Sequence, residues 1–173
     1  MRRWRVRLAS TAGAAMLAAL IVFGLSASAS RRLGRKAPAL PSERLAGPPA
    51  TLAQLLSTAH GRATLITFWA SWCGPCAQEA PALERFSRSA AGSGRLVAVD
   101  WSDGLSSARK FVAHYGWTFP VLRDAEGAVG NDYRLTGLPT TFVLDGSGRI
   151  RAVLRGPQTT GSLTRAVASV THS

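Results

Sequence analysis

The sequence predicts an α/β domain built on a mixed β-sheet with helices on both faces. Three observations carry this reading. β-branched and aromatic runs alternate with amphipathic stretches along most of the chain. The last two runs are joined by Asp145-Gly146-Ser147-Gly148, a hairpin signal. The composition is globular: of 173 residues, 46% are hydrophobic and 17% charged, which suits one domain and not comfortably two. Seventeen glycines and nine prolines show no fixed period, so collagen-like and low-complexity readings drop out.

Residues 30–50 read as a linker, because basic residues and four prolines interrupt any hydrophobic period. The domain is expected over 51–173. Thr51–Ala59 reads as a short helix with Leu52, Leu55 and Leu56 on one face. Ala63–Trp69 is a β-branched and aromatic run, hence a buried strand. A helix follows over Pro75–Ala91, with Leu83 and Phe86 facing inward and a kink expected at Pro81. Leu96–Val99 is the second strand. Ser102–Tyr115 holds a helix capped by Ser102 or Ser106. Phe119–Leu122 is a short strand that Pro120 should keep off the sheet centre. A short helix spans Ala128–Tyr133, and Thr140–Leu144 and Ile150–Leu154 form the hairpin strands. Gly161–Val170 closes the chain as a helix.

The formal charge of +12 invites a nucleic-acid partner, but its distribution argues against one. The first 36 residues hold eight of the 21 basic residues and no acid, leaving 13 bases against all nine acids in the rest. The basicity is an address. Arg2, Arg3, Arg5 and Arg7 precede an uncharged run from Leu8 to Leu25, followed by the small-residue site Ser26-Ala27-Ser28-Ala29. Residues 1–29 therefore read as a signal peptide or a signal anchor. Arg31, Arg32, Arg35 and Lys36 immediately after favour a retained anchor, with the bulk of the chain outside the cytoplasm and tethered to the membrane.

Cys73 and Cys76 are the only cysteines. Two thiols make neither a disulfide framework nor a four-thiolate zinc site, and the three histidines are scattered. The pair sits after a predicted strand and opens a predicted helix. There the unsatisfied N–H groups and the positive end of the dipole favour thiolate. In a C-x-x-C pair this lowers the thiol pKa from about 8.5 towards about 7. Cys73, at the helix start, is expected to be the exposed attacking thiolate, and Cys76, one turn inside, the resolving thiol.

Trp69-Ala70-Ser71-Trp72-Cys73-Gly74-Pro75-Cys76 resembles the active site of the thioredoxin superfamily. Cys76-Ala77-Gln78-Glu79-Ala80-Pro81 is similar to the C-x-x-E-x-P continuation of the TlpA/ResA-like extracytoplasmic thiol-disulfide oxidoreductases. Gly137-Leu138-Pro139-Thr140-Thr141-Phe142 resembles the superfamily's cis-proline loop. The resemblance covers about residues 37–170. It implies a thioredoxin-like fold, with an inserted helix and strand (Ser102–Leu122) between the active-site helix and the cis-proline loop. It implies that Cys73 and Cys76 form a redox-active disulfide. It also implies a substrate groove made by Trp72, Gly74, Pro75, Leu138, Pro139 and Thr140.

Glu79 has two readings: a solvated partner of the helix dipole, or, as in the ResA-like relatives, a carboxylate that handles the proton of Cys76. Thr67 stands where thioredoxin itself carries a buried Asp, a departure that fits the TlpA/ResA-like subgroup and favours the second reading, with Glu79 as the proton relay. Two departures weaken the case for cytochrome c as the specific substrate: Gly74, where some relatives have an acid, and Thr140-Thr141 in place of Glu-Thr. No cofactor is implied. The expected partners are proteins bearing a disulfide or dithiol and a membrane electron donor. Gly74-Pro75 resembles the reducing thioredoxin, so reduction is expected, with an exported oxidase as the alternative. A Cu(I) metallochaperone using the two thiolates is a rival, although no histidine lies near them in sequence. A peroxide-reducing enzyme would need one activated cysteine with a nearby arginine, unlike this pair.

Overall fold

The structure, a computed structural model, describes residues 33–170. Leu33–Arg35 form a turn in a separate small unit, and the compact unit begins at Lys36. Its elements are β1 (Glu43–Ala46), α1 (Leu52–Thr58), β2 (Thr64–Trp69), α2 (Gly74–Ser87), β3 (Leu96–Trp101), α3 (Leu105–Tyr115), β4 (Val121–Asp124), α4 (Ala128–Asp132), β5 (Thr140–Leu144), β6 (Ile150–Arg155) and α5 (Thr160–Val170). The six strands lie in the order β1-β4-β3-β2-β5-β6. β2, β3 and β4 are parallel, while β1, β5 and β6 pair antiparallel to their neighbours. The mixed sheet expected from the sequence is present.

Two cores follow from the period of two along the strands. Leu65 and Trp69 of β2 point to one face, where α2, α3 and α5 bring Leu83, Phe86, Phe111, Leu163 and Val167. Ile66 and Phe68 point to the other, against Leu55 of α1 and Tyr133 at the end of α4. Every residue of β2 is buried, so it sits in the middle of the sheet and delivers its C-terminus to a fixed place. Thr67 would be an unsatisfied hydroxyl there, but Thr141 of β5 stands opposite and donates to it at 3.0 Å.

Several boundaries differ from expectation, each for a local reason. The linker reading of 30–50 overlooks β1, a four-residue edge strand with one buried side chain, Leu45, and an irregular register against β4. β1 also changes the place of β4. Pro120 lies before that strand and its carbonyl accepts from Ala98, so β4 begins at Val121 and is interior, with β1 outside it. α2 runs through Pro81 and stops at Ser87, where Ser87 and Ser89 hydroxyls take the carbonyls of Glu84 and Phe86. α3 begins at Leu105 with Gly104 as its uncapped N-cap. Neither serine caps it; Ser102 has a left-handed backbone, φ 50°. Among the described residues no helix is long and apolar enough to cross a membrane, and the signal segment expected at 1–29 lies outside them.

Gly47 fixes the exit from β1. Its φ is +66°, and a Cβ there would meet the Phe119 carbonyl. Gly47→Ala is expected to destabilise the fold by about 2–4 kcal/mol, combining the left-handed penalty with backbone overlap. Denaturant titration measures this, and a midpoint equal to the parent's would show that β1 is not held there.

Candidate active site

β2 ends at Trp69, and four residues later Cys73 is the N-cap of α2. Trp69 is fully buried and stacks on Phe111 with ring centroids 4.6 Å apart, with Trp117 edge-on at 4.8 Å. This aromatic cluster anchors the strand end from which the turn departs. Cys73 is extended, φ −89° and ψ 102°, as an N-cap must be. Gly74 and Pro75 then start the helix, Pro75 where its missing N–H costs nothing.

Cys73 and Cys76 are joined by a disulfide. The Cys73 sulfur also accepts the Cys76 backbone N–H at 3.2 Å. That hydrogen bond and the helix N-terminus are the groups that would hold a thiolate once the bond is reduced. The exposure expected of Cys73 is small in this oxidised state: 6%, against 2% for Cys76. Gly74 and Pro75 beside it are exposed, and Trp72 is 60% exposed, its indole donating to the Ser102 carbonyl at 3.4 Å. An open groove of about 770 Å³ runs from Trp72 along α3, past Ala77, Lys110, Phe111 and His114.

Glu79 lies one turn beyond Cys76 on the same face of α2 and is 1% exposed. A solvated dipole partner it is not. Its Oε1 accepts the Gln158 N–H at 3.1 Å, and its Oε2 has no partner. Burial outweighs the Gln158 hydrogen bond and raises its pKa to about 7. The contribution of Gln158 carries no sequence signal, since it is a backbone group from the turn between β6 and α5.

The Leu138–Pro139 bond is cis. Thr140 pairs with Phe68, so Pro139 lies one residue further towards the end of the sheet from which Cys73 departs. Leu138 is half-buried and packs against the core that contains both sulfurs. Pro139 is buried, and its carbonyl accepts from Gly156. Thr140 departs from expectation: it is 3% exposed, with its hydroxyl bonded to the Gly137 carbonyl at 2.7 Å. Its side chain shapes the loop from inside. Among the described residues no cluster of three or more His, Cys, Asp or Glu side chains could hold a metal ion.

Comparison with known proteins agrees with this geometry. The AhpC/TSA family model matches residues 33–153. The chain is 36% identical over 129 residues to the thioredoxin-like protein YneN of Bacillus subtilis, covering 73% of each. It is 31% identical over 116 residues to the thiol-disulfide oxidoreductase ResA of Geobacillus kaustophilus, covering 66% of this chain and 67% of that one. A crystal structure of a putative thiol:disulfide interchange protein DsbE from Chlorobium tepidum superposes with a TM-score of 0.69 at 27% identity, covering 80% of this chain and 97% of that one. The thioredoxin-like fold inferred from the C-G-P-C and Leu-Pro-Thr motifs is therefore present, and the chain belongs to the AhpC/TSA family as a thiol-disulfide oxidoreductase of the ResA/DsbE type.

Proposed function

We propose that the protein is an exported or membrane-tethered reductase of disulfides in extracytoplasmic proteins, with Cys73 as the attacking thiolate. The observation that carries this is the placement of Cys73 as the N-cap of α2, its sulfur receiving the Cys76 N–H. The reduced Cys73 thiolate attacks one sulfur of a substrate disulfide, forming a mixed disulfide and releasing the other sulfur as a thiolate, which takes a proton from water. Cys76 then gives its proton to Glu79 and attacks the Cys73 sulfur. The Cys73–Cys76 disulfide forms, and the second substrate sulfur leaves as a thiolate that takes the proton back from Glu79. The two electrons now on the substrate are replaced by a membrane dithiol protein, which returns the pair to the reduced state. The N-terminal basic and apolar pattern supports the tether and the extracytoplasmic setting.

Trp72, Gly74, Pro75, Leu138 and Pro139 form the docking surface. Trp72, Gly74 and Pro75 are exposed and Leu138 is half-buried, whereas Pro139 is buried. An extended substrate segment lying there pairs mainly with backbone, so sequence preference is weak.

Redox titration of the full chain against dithiothreitol and glutathione buffers tests the direction. A potential near the reducing thioredoxin value of about −270 mV is expected, whereas one near about −120 mV makes the protein an oxidase. Glu79→Gln keeps the shape and removes the proton acceptor. Mixed-disulfide resolution near neutral pH should slow by up to about 10²-fold, the lower end of general acid–base contributions. Stopped-flow rates measure this, and unchanged rates would leave Glu79 with a packing role alone.

A further inference from the structure

The two sides of the redox pair differ in chemistry. β3 and β5 flank β2 on opposite sides. The cis-proline loop leads into β5. After β3 comes α3, and between α3 and the active-site turn lies the open groove of about 770 Å³.

The wall of the groove next to Cys73 is pinned. The Asp103 carboxylate, from the loop between β3 and α3, accepts the Ser71 backbone N–H at 2.6 Å and the Ser71 hydroxyl at 3.0 Å. It also accepts the Gly104 N–H at 2.7 Å. The Ser102 carbonyl of the same loop accepts the Trp72 indole N–H at 3.4 Å. Both residues that precede Cys73 are thus tied to the loop that starts α3. Trp72 stays 60% exposed while its polar edge is held, so its ring is ready for a partner with little ordering left to do.

The wall made by α3 carries one sign of charge. Ser107, Lys110, Phe111 and His114 line the groove at the i, i+3, i+4, i+7 spacing of a single helix face. Phe111 and the half-buried Tyr115, their ring centroids 4.6 Å apart, supply the apolar part of the lining. Lys110 and His114 are exposed, and Lys110 enters no hydrogen bond or ion pair among the described residues. α3 holds Arg109, Lys110 and His114 and no acid. The charge of Asp103, at the start of the groove, is already engaged by its three donors. An exposed indole, an apolar lining and a free ammonium group are together complementary to an extended segment with an apolar side chain and a carboxylate.

We infer that this groove docks the substrate segment flanking the attacked cysteine, and that Lys110 selects an acidic residue in it. From Ser107 to His114 the helix rises about 10 Å. An extended chain covers that length in about three residues. The substrate carboxylate therefore lies about three residues from the attacked cysteine, with an apolar neighbour against Trp72. Backbone pairing at the cis-proline loop accepts many sequences, and the groove adds a charge preference to it. The inference rests on exchange through Cys73 and not on the direction of electron flow.

The test uses the reduced full chain and two synthetic peptides, each a symmetric disulfide-linked dimer with one cysteine per strand. They differ only in carrying Asp or Lys about three residues to either side of the cysteine. Each reduction leaves two peptide thiols and the oxidised Cys73–Cys76 pair. Stopped-flow rates, divided by those of dithiothreitol with the same peptide, give the preference due to the protein. The parent should favour the Asp peptide by about fivefold at low salt, the scale of exposed charge pairs. The preference should fade at about 1 M salt, where the Debye length is about 3 Å. Lys110→Gln should bring the ratio close to one, and Lys110→Glu should reverse it. Arg109→Gln, on the same helix but outside the groove, should keep the parent's ratio. Equal parent rates for the two peptides, a ratio untouched by Lys110→Glu, or a ratio lowered as much by Arg109→Gln as by Lys110→Gln overturns the groove alone. Reaction with neither peptide overturns the exchange reading and the groove with it.

Discussion

Cys73→Ser abolishes disulfide exchange, and Cys76→Ser accumulates a mixed disulfide through Cys73: that asymmetry is the expected result of mutating the pair. Both sulfurs lie at the start of α2, but they meet different surroundings. Cys73 is the N-cap, and its sulfur faces the Cys76 N–H and the positive end of the helix. Cys76 is inside the first turn, packed in the core with Ala80 and Leu83. Cys73 lies between the exposed Trp72 and Gly74, so it is the sulfur expected to meet a substrate disulfide. Without Cys73 no covalent intermediate forms, and the loss spans the full catalytic rate. Without Cys76 the intermediate forms and has no internal thiol to resolve it. Non-reducing electrophoresis and mass spectrometry after incubation with a disulfide-bearing protein read both outcomes. A trapped adduct in Cys73→Ser, or steady turnover in Cys76→Ser, would reverse the assignment.

The site was legible where its chemistry is local. A β-branched run, then Cys-Gly-Pro-Cys, then an apolar helical period specifies a strand, an N-capping cysteine and a buried second cysteine within eight residues. The acids around it were less so, because their surroundings depend on what the topology brings from far along the chain. The burial of Glu79 is completed by the turn at Gln158, 79 residues later. Asp103 precedes a helix and looks like an ordinary capping residue, yet its carboxylate is diverted across 32 residues to Ser71. The same diversion explains the false cap at Ser102: the loop is shaped to reach the active-site turn, and the helix starts later.

β1 escaped notice for a different reason. Glu-Arg-Leu-Ala has no alternation to detect, and what makes it a strand is the open edge of β4, which is assembled only when the parallel part of the sheet has formed. Arg123 ties these observations together. It sits in β4 between Glu43 on the edge strand and Asp100 in the interior, 3.2 Å from the first carboxylate and 3.9 Å from the second. Residues read as linker thus supply a carboxylate to the arginine that lies beside the buried Asp100.

The full chain should lose stability as pH rises from about 4.5 to 8, and Glu79→Gln should flatten part of that slope. The native state keeps a proton on Glu79 up to about pH 7, because burial raises its pKa from the ordinary 4.5. The unfolded chain releases that proton near pH 4.5. Between those values the native state binds more protons than the unfolded state, so each rise in pH favours unfolding. Asp100 adds a contribution of the same sign that persists to about pH 8. Asp145 acts oppositely: hydrogen bonds from Arg149, Ser147 and Arg151 hold its carboxyl below the usual range, so its contribution is lost only in more acidic solution. One fully buried carboxyl gives at most about 1.4 kcal/mol per pH unit inside its window, and a few kcal/mol across it. Denaturant midpoints of the oxidised protein at fixed ionic strength, taken every half unit from pH 5 to 8, measure the slope. In Glu79→Gln the amide has no proton to lose, so the variant should gain on the parent towards pH 8 while falling behind it in rate. Equal slopes in the two proteins would show that Glu79 is ionised in the native state throughout, and would leave it a base no stronger than an ordinary carboxylate.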